Sequence, residues 1–356
     1  MFDSLVSVRS GSAATIALVA SLMSPLAVAA PTGEPPYAII AHWKLPGGGS
    51  WDYLTLDSPR HRLFIARGDR VEVVDSDSGK FLGRIAGTQG VHGVALAPDL
   101  KRGFTSNGRA NTVTEFDYDT LTVLRTAAVP GANPDAILYD ASHKHLFTFN
   151  GRSQNATVYD ASTLEVVAKL PMPGKPEFAI QDSHGHIFVN IESDRGQMVV
   201  IDINTLAVIS TWALPDCARP SGLAFDAAHD RLFSVCDNKI MAITNAKTGA
   251  QIARAAIGEG PDAAAYDATR QLVLSSNDEG TLTVVRAESA DKYVSAGTLA
   301  TQRGARTMAM DPASGRIYLV TADYEPPRPA TPEQPRPRPE SKSDTFTILV
   351  VAPNPL

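Results

Sequence analysis

The chain has 356 residues, 44% of them apolar, and a formal net charge of −6. That apolar share is enough for a globular core. The acidic balance argues against nucleic acid or an anionic membrane surface as partner, because both demand a basic face.

Residues 1–29 read as a secretory signal. Arg9 precedes an apolar run over 13–28, and the small-residue stretch Ala27-Val28-Ala29-Ala30 invites cleavage after Ala29. An uncleaved N-terminal anchor is the alternative. The mature chain is expected in the periplasm or outside the cell, without membrane insertion and as a monomer. Residues 37–45 form one strand with no sheet of their own.

From residue 51 onward the chain repeats. Over 134–174, four short β-rich runs are separated by turns such as Asp140-Ala141-Ser142-His143-Lys144 and Asn150-Gly151-Arg152-Ser153-Gln154. Period-2 apolarity bounded by Asn, Asp, Ser and Gly is the signature of hairpin-linked strands. The residue Asp135, just after Pro134, has counterparts at Asp52, His92, Glu177, Ser221, Asp262 and Arg306, spaced by 40 to 44 residues. That is the period of a four-stranded propeller blade. Second strands recur at Leu63-Phe64, Leu146-Phe147, Ile187-Phe188 and Leu232-Phe233, and third strands end in Asp75, Asp117, Asp160 and Asp202.

The expected fold is all-β: one seven-bladed β-propeller of four-stranded antiparallel blades over 37–353. Blades start near 51, 91, 134, 176, 220, 261 and 305. The last copy has only three strands, so 37–45 should supply the fourth and close the ring three plus one, leaving no open edge. Within that copy, 324–344 is a Pro-rich insertion, read either as a flap or partner ligand over the channel mouth or as a tolerated surface loop.

The repeat pieces Leu146-Phe147-Thr148-Phe149-Asn150, Leu272 to Asn277 and Met198-Val199-Val200-Ile201-Asp202 resemble the YVTN-type β-propeller repeat family, in particular its YncE-like periplasmic proteins. The likeness covers about 37–353. It implies an exported propeller, and interaction more often than chemistry.

The seven register-equivalent residues should ring the channel mouth. Of these, Asp52, His92, Asp135, Glu177, Asp262 and Arg306 are the candidate ligand-binding set. Asp135, Glu177 and Asp262 offer hard oxygen ligands suited to Ca²⁺ or Mg²⁺, and a histidine beside them admits Zn²⁺ or Mn²⁺. The alternative is capping, in which these side chains bond backbone groups where the inner strands begin. The loops after the second strands add Arg67, Asp69, Asn107, Arg109, Asn150, Arg152, Asn190, Glu192, Asp237, Asn238, Asn277 and Asp278 to the same rim.

His143, His145, His184, His186 and His229 fall in turns on the opposite face and read as turn composition. Cys217 and Cys236 reach the same face of blade 5, so an oxidising compartment favours a disulfide, with two half-buried thiols as the alternative. No Cys-x-x-Cys-His run exists, which excludes covalent c-type haem. The chain has no Gly-x-Ser-x-Gly elbow, phosphate loop or His-Glu-x-x-His helix either.

Two functions follow. The first is an exported binding or scaffold protein whose channel mouth holds a small polar ligand or a periplasmic partner protein. The second is a divalent-metal-dependent lactonase or lyase, with His92 as base.

Overall fold

The computed structural model describes residues 1–2, 34–326 and 339–355. The leader expected over 1–29 therefore lies almost wholly outside the described residues, as does the middle of the Pro-rich insertion. The architecture below belongs to the compact unit Pro31–Leu356.

Seven sheets of four strands each follow one another, every ladder antiparallel and, apart from the closing one, between chain neighbours. The inner strands are Leu54–Asp57, Val91–Ala97, Pro134–Asp140, Lys175–Gln181, Pro220–Asp226, Pro261–Asp267 and Met308–Met310, defining blades 1 to 7. Each inner strand touches the next, and that of blade 7 touches that of blade 1, so the ring closes. Blades 1 and 7 begin their ladders about three residues later than the repeat suggested, because Asp52 and Arg306 precede the paired segment.

Closure is three plus one. Tyr37–Lys44 runs antiparallel to Thr347–Pro353 as the outermost strand of blade 7. Its Tyr37 hydroxyl donates to Asp267 Oδ2 of blade 6 at 2.8 Å, tying the closing strand to the neighbouring blade.

The burial pattern explains the strand sequences. Second strands such as Arg62–Arg67 and Arg231–Cys236 are buried at every position. A blade packs between two others, so both faces of its middle strands are covered and successive residues are apolar. Phe147, Val158, Ile187, Val199 and Ile201 form one such layer between blades 3 and 4. Fully burying a Phe or Ile side chain stabilises by about 1.5–3 kcal/mol, and seven such layers hold the ring. Outer strands face solvent and are mixed; Phe81–Ala86 is mostly exposed.

Turn chemistry repeats with the blades. Asp75, Asp117, Asp160 and Asp202 each accept backbone N–H groups two and three residues on, at 2.8–3.2 Å. Asn245 does the same in blade 5, because an amide oxygen closes the turn as well as a carboxylate. His143, His186 and His229 bond Asp140, Asp182 and Asp226 of their own turns at 2.7–2.9 Å. Cys217 and Cys236 are joined in a disulfide with Cα atoms 5.4 Å apart.

Candidate functional site

The site is built by an irregularity shared among blades. In blades 2 to 6 the ladder between inner and second strands breaks between Val91 and Val94, Pro134 and Ile137, Pro176 and Ala179, Pro220 and Leu223, and Pro261 and Ala263. The ring residue sits inside each break. A bulge frees that residue from the ladder and re-aims its side chain. The residue two before the ring position is left-handed at Asn133 and Arg219, with φ 59° and 50°, and at Gly90, Gly260 and Gly304. The chain thus turns sharply into each inner strand.

The ring side chains bond one another. His92 Nδ1 lies 2.6 Å from Asp52 Oδ2 and 3.6 Å from Asp135 Oδ1. Arg306 Nε donates to Asp262 Oδ2 at 2.7 Å. Lys175 Nζ donates to both Glu177 and Glu192, and Arg219 Nη2 donates to Glu192 at 2.6 Å. Ser221 alone follows the capping pattern, donating to Pro261 O at 2.8 Å.

These pairings set the charges. Burial opposes charge on His92, but the Asp52 hydrogen bond and the Asp135 charge outweigh it and hold the imidazolium up to about 9. Burial pushes Asp135 up to about 6, against the pull of His92. Glu177 is pushed up by burial and by the Asp135 charge, whereas Glu192 stays low. For Glu192, hydrogen bonds from Glu177, Lys175 and Arg219 overcome its burial. Glu177 therefore carries the proton of that pair. Asp262 is raised by burial, partly relieved by Arg306.

This arrangement departs from the expected metal set in two ways. Asp135, Glu177 and Asp262 do not converge: Asp135 lies beside His92, Glu177 accepts from Lys175, and Asp262 accepts from Arg306. Among the described residues the cluster whose ligand atoms fall within 4.8 Å of one another is Asp52, His92 and Asp135. In addition, His92 holds its proton up to about 9, so binding a cation or accepting a proton would first require it to give that proton up. Repulsion among the acids is relieved by His92, Lys175 and Arg306 of the chain itself.

Two residues absent from the expected set complete the site. Lys175 donates to both Glu177 and the charged Glu192, and its signal was its place beside the blade 4 ring position, where most blades have Gly or Asn. Tyr53, next after Asp52, is nine-tenths buried. Its hydroxyl lies in the field of Asp135, Glu177, Asp52 and Asp262, and with burial this keeps it protonated far above neutral pH. The Tyr53 ring meets Phe178 edge to face at 5.5 Å. Blades 1 and 4 are not neighbours, so this pair reaches across the axis. The mouth is a cup.

A cavity of about 530 Å³ occupies the cup, lined by Asp52, His92, Asp135, Lys175 and Arg306 and, at its rim, Arg109 and Arg152. A second of about 700 Å³ adjoins it through Ser50, Trp51 and Arg306 and reaches Arg303, Tyr324 and Ser341 at the foot of the Pro-rich insertion. Gly108 makes room for the ring, since a Cβ there would lie 2.5 Å from His92 Nε2.

The rim residues divide. Asn107, Asn150 and Asn190 are fully buried and brace the turns, with Asn107 and Asn150 donating to Thr114 and Thr157 at 2.9 and 3.0 Å. Arg67 is wholly buried as well, donating to Glu72 at 2.9 Å and to Gly47 O at 3.0 Å, with Phe346 against its guanidinium. These are structural residues. Arg109 and Arg152 are the ones left facing the cup.

No protein-family model matches the chain, and no curated protein matches it. Solved structures do. A chain of Kuenenia stuttgartiensis hydrazine synthase aligns with TM-score 0.66 and 16% identity, covering 77% of this chain and 92% of its own. A chain of the mitotic checkpoint complex aligns with TM-score 0.70 and 16% identity, covering 95% and 98%. In all, 1881 solved chains match, so the architecture is shared too widely to select a function. What the comparisons establish is the propeller fold.

Proposed function

We propose that this protein is an exported propeller of the YncE-like kind that holds a small polar ligand in the cup at its channel mouth. The observation that carries the reading is the cup itself: a cavity of about 530 Å³ lined by Asp52, His92, Asp135, Lys175 and Arg306. Concave sites with a few converging polar groups are where small molecules bind. The ring pairs are already satisfied, which gives the cup a fixed shape before any ligand arrives. The general suitability of propellers as interaction platforms supports the same class of function. No helix among the described residues is long and apolar enough to cross a membrane.

The test is a thermal-shift screen of polar metabolites on the mature protein, repeated with Gly151→Phe, which lines the cup and whose Cβ would meet the flexible Lys175 stem at 3.2 Å. Hits that raise the midpoint of the parent and not of the variant support the proposal, provided the variant melts as cooperatively as the parent. A broad screen with no hit, or hits indifferent to Gly151→Phe, would sink it. A partner protein is tested by pull-down with and without residues 325–343.

The clustering of Asp52, His92 and Asp135 favours a second reading, a divalent cation at the ring serving lactonase or lyase chemistry. There the two carboxylates would hold the ion and His92 would have to give up its proton to join them. Metal content of protein purified without chelator, with and without Asp135→Ala, decides this. Stoichiometric metal lost in the variant favours the cation; its absence from both leaves the ring to ion pairing.

A further inference from the structure

We infer that the cup takes a small hydroxylated oxyanion, its carboxylate or phosphate held between Arg109 and Arg152 and its hydroxyls turned to the ring. This deepens the binding reading above and rests on it.

The two arginines come from identical turns. Asn107-Gly108-Arg109 and Asn150-Gly151-Arg152 follow the second strands of adjacent blades. The fold does not require that arginine. Aligned on the residues that pair with Pro176, Pro220 and Pro261, the same place holds Ser193, Asn238 and Glu279 in blades 4 to 6. The positive rim is confined to one side of the cup.

The turns are close together and rigid. A Cβ on Gly108 would lie 3.0 Å from Asn133 Oδ1, and one on Gly151 would lie 3.4 Å from Asn133 Nδ2, so both turns flank one side chain. The buried Asn107 and Asn150 fix them from beneath. Neither guanidinium has an ion pair or hydrogen bond among the described residues. Two unpaired guanidiniums on braced turns above an already neutralised ring favour a ligand that brings acceptor oxygens, since Arg pairs with carboxylate and phosphate through parallel N–H bonds. Deeper in the cup the chemistry is mixed. The Lys175 and Arg306 side chains that line it are hydrogen-bond donors. The Asp52 and Asp135 oxygens accept hydrogen bonds, and such a donor–acceptor set recognises hydroxyl groups.

The experiment is calorimetric titration of the mature protein in phosphate-free buffer with glucuronate, glucose 6-phosphate, glucose and inorganic phosphate. One or both charged sugars should bind at least tenfold more tightly than glucose or inorganic phosphate, the tighter of the two naming the oxyanion. Arg109→Gln with Arg152→Gln should abolish that advantage while the circular dichroism spectrum stays unchanged. Charged sugars that bind the double variant as well as the parent overturn the clamp. So does glucose or inorganic phosphate binding as tightly as the charged sugars, or no binding of any probe. If the charged sugars bind no more tightly than glucose while glucose binding is lost in Asp135→Asn, the clamp fails and the cup reading stands.

Discussion

At the scale of single residues, His92 governs how the site responds to pH. In the fold it stays protonated up to about 9, against about 6.5 for a free imidazole. A base whose pKa is raised by folding contributes stability that is complete below its unfolded value and lost as pH climbs through its folded one. Between pH 6.5 and 9.5 the melting temperature of the parent should fall more steeply than that of His92→Gln; parallel profiles would show that the Asp52 contact contributes nothing. Glu177 and Glu192 should differ sharply at pH 7. Glu177 already carries a proton, so Glu177→Gln should cost less than about 0.5 kcal/mol. Glu192→Gln leaves Lys175 and Arg219 without their carboxylate and should cost about 1–3 kcal/mol, a contrast that urea unfolding resolves. Gly108→Ala forces a Cβ to within 2.5 Å of His92 Nε2. It should destabilise by about 1–3 kcal/mol, as overpacking does, and an unchanged unfolding midpoint would contradict the tight seat described for the ring.

At the scale of elements, the inner strand is where sequence and structure part. The repeat spacing identified the ring positions, because equivalent residues recur every 40 to 44 positions. It gave no sign of the bulges that free those residues from their ladders, since a bulge leaves no mark in a period-2 pattern. The disulfide belongs to this scale too. It closes a 19-residue separation between the loop entering blade 5 and the end of its second strand. A loop of that size is stabilised by about 3 kcal/mol on chain-entropy grounds. Cys217→Ser with Cys236→Ser should therefore melt several degrees lower under non-reducing conditions, and the parent should match the variant once reduced.

For the whole molecule, stability depends on closing the circle. Tyr37–Lys44 fills the outer edge of blade 7 and is pinned to blade 6 through Tyr37. Deleting residues 37–46 would expose the full edge of Thr347–Pro353 and remove that tie. The shortened protein should aggregate or lose its cooperative melt; a soluble variant with the parent's melting curve would mean that the ring holds without its closure. Charge also acts at this scale. The chain is acidic overall, yet the free groups at the cup rim are Arg109 and Arg152, so anions would be drawn to that face more strongly at low ionic strength.

The sequence by itself determined the strands, their number, the three-plus-one closure and the seven positions around the axis. All of these follow from local periodicity and the length of the repeat, and they survive drift in individual residues. It also determined which residue types reach the mouth. Only the tertiary structure decided which of them meet. Asp52 pairs with His92, Asp262 with Arg306, and Lys175 with Glu177 and Glu192, and Tyr53 crosses the axis to Phe178. Most of these contacts join different blades, and those of His92, Glu177 and Asp262 depend on the angle at which a bulge turns the side chain inward. A one-dimensional pattern carries no record of that angle, so carboxylates that look convergent in the sequence become separate ion pairs once the ring is closed.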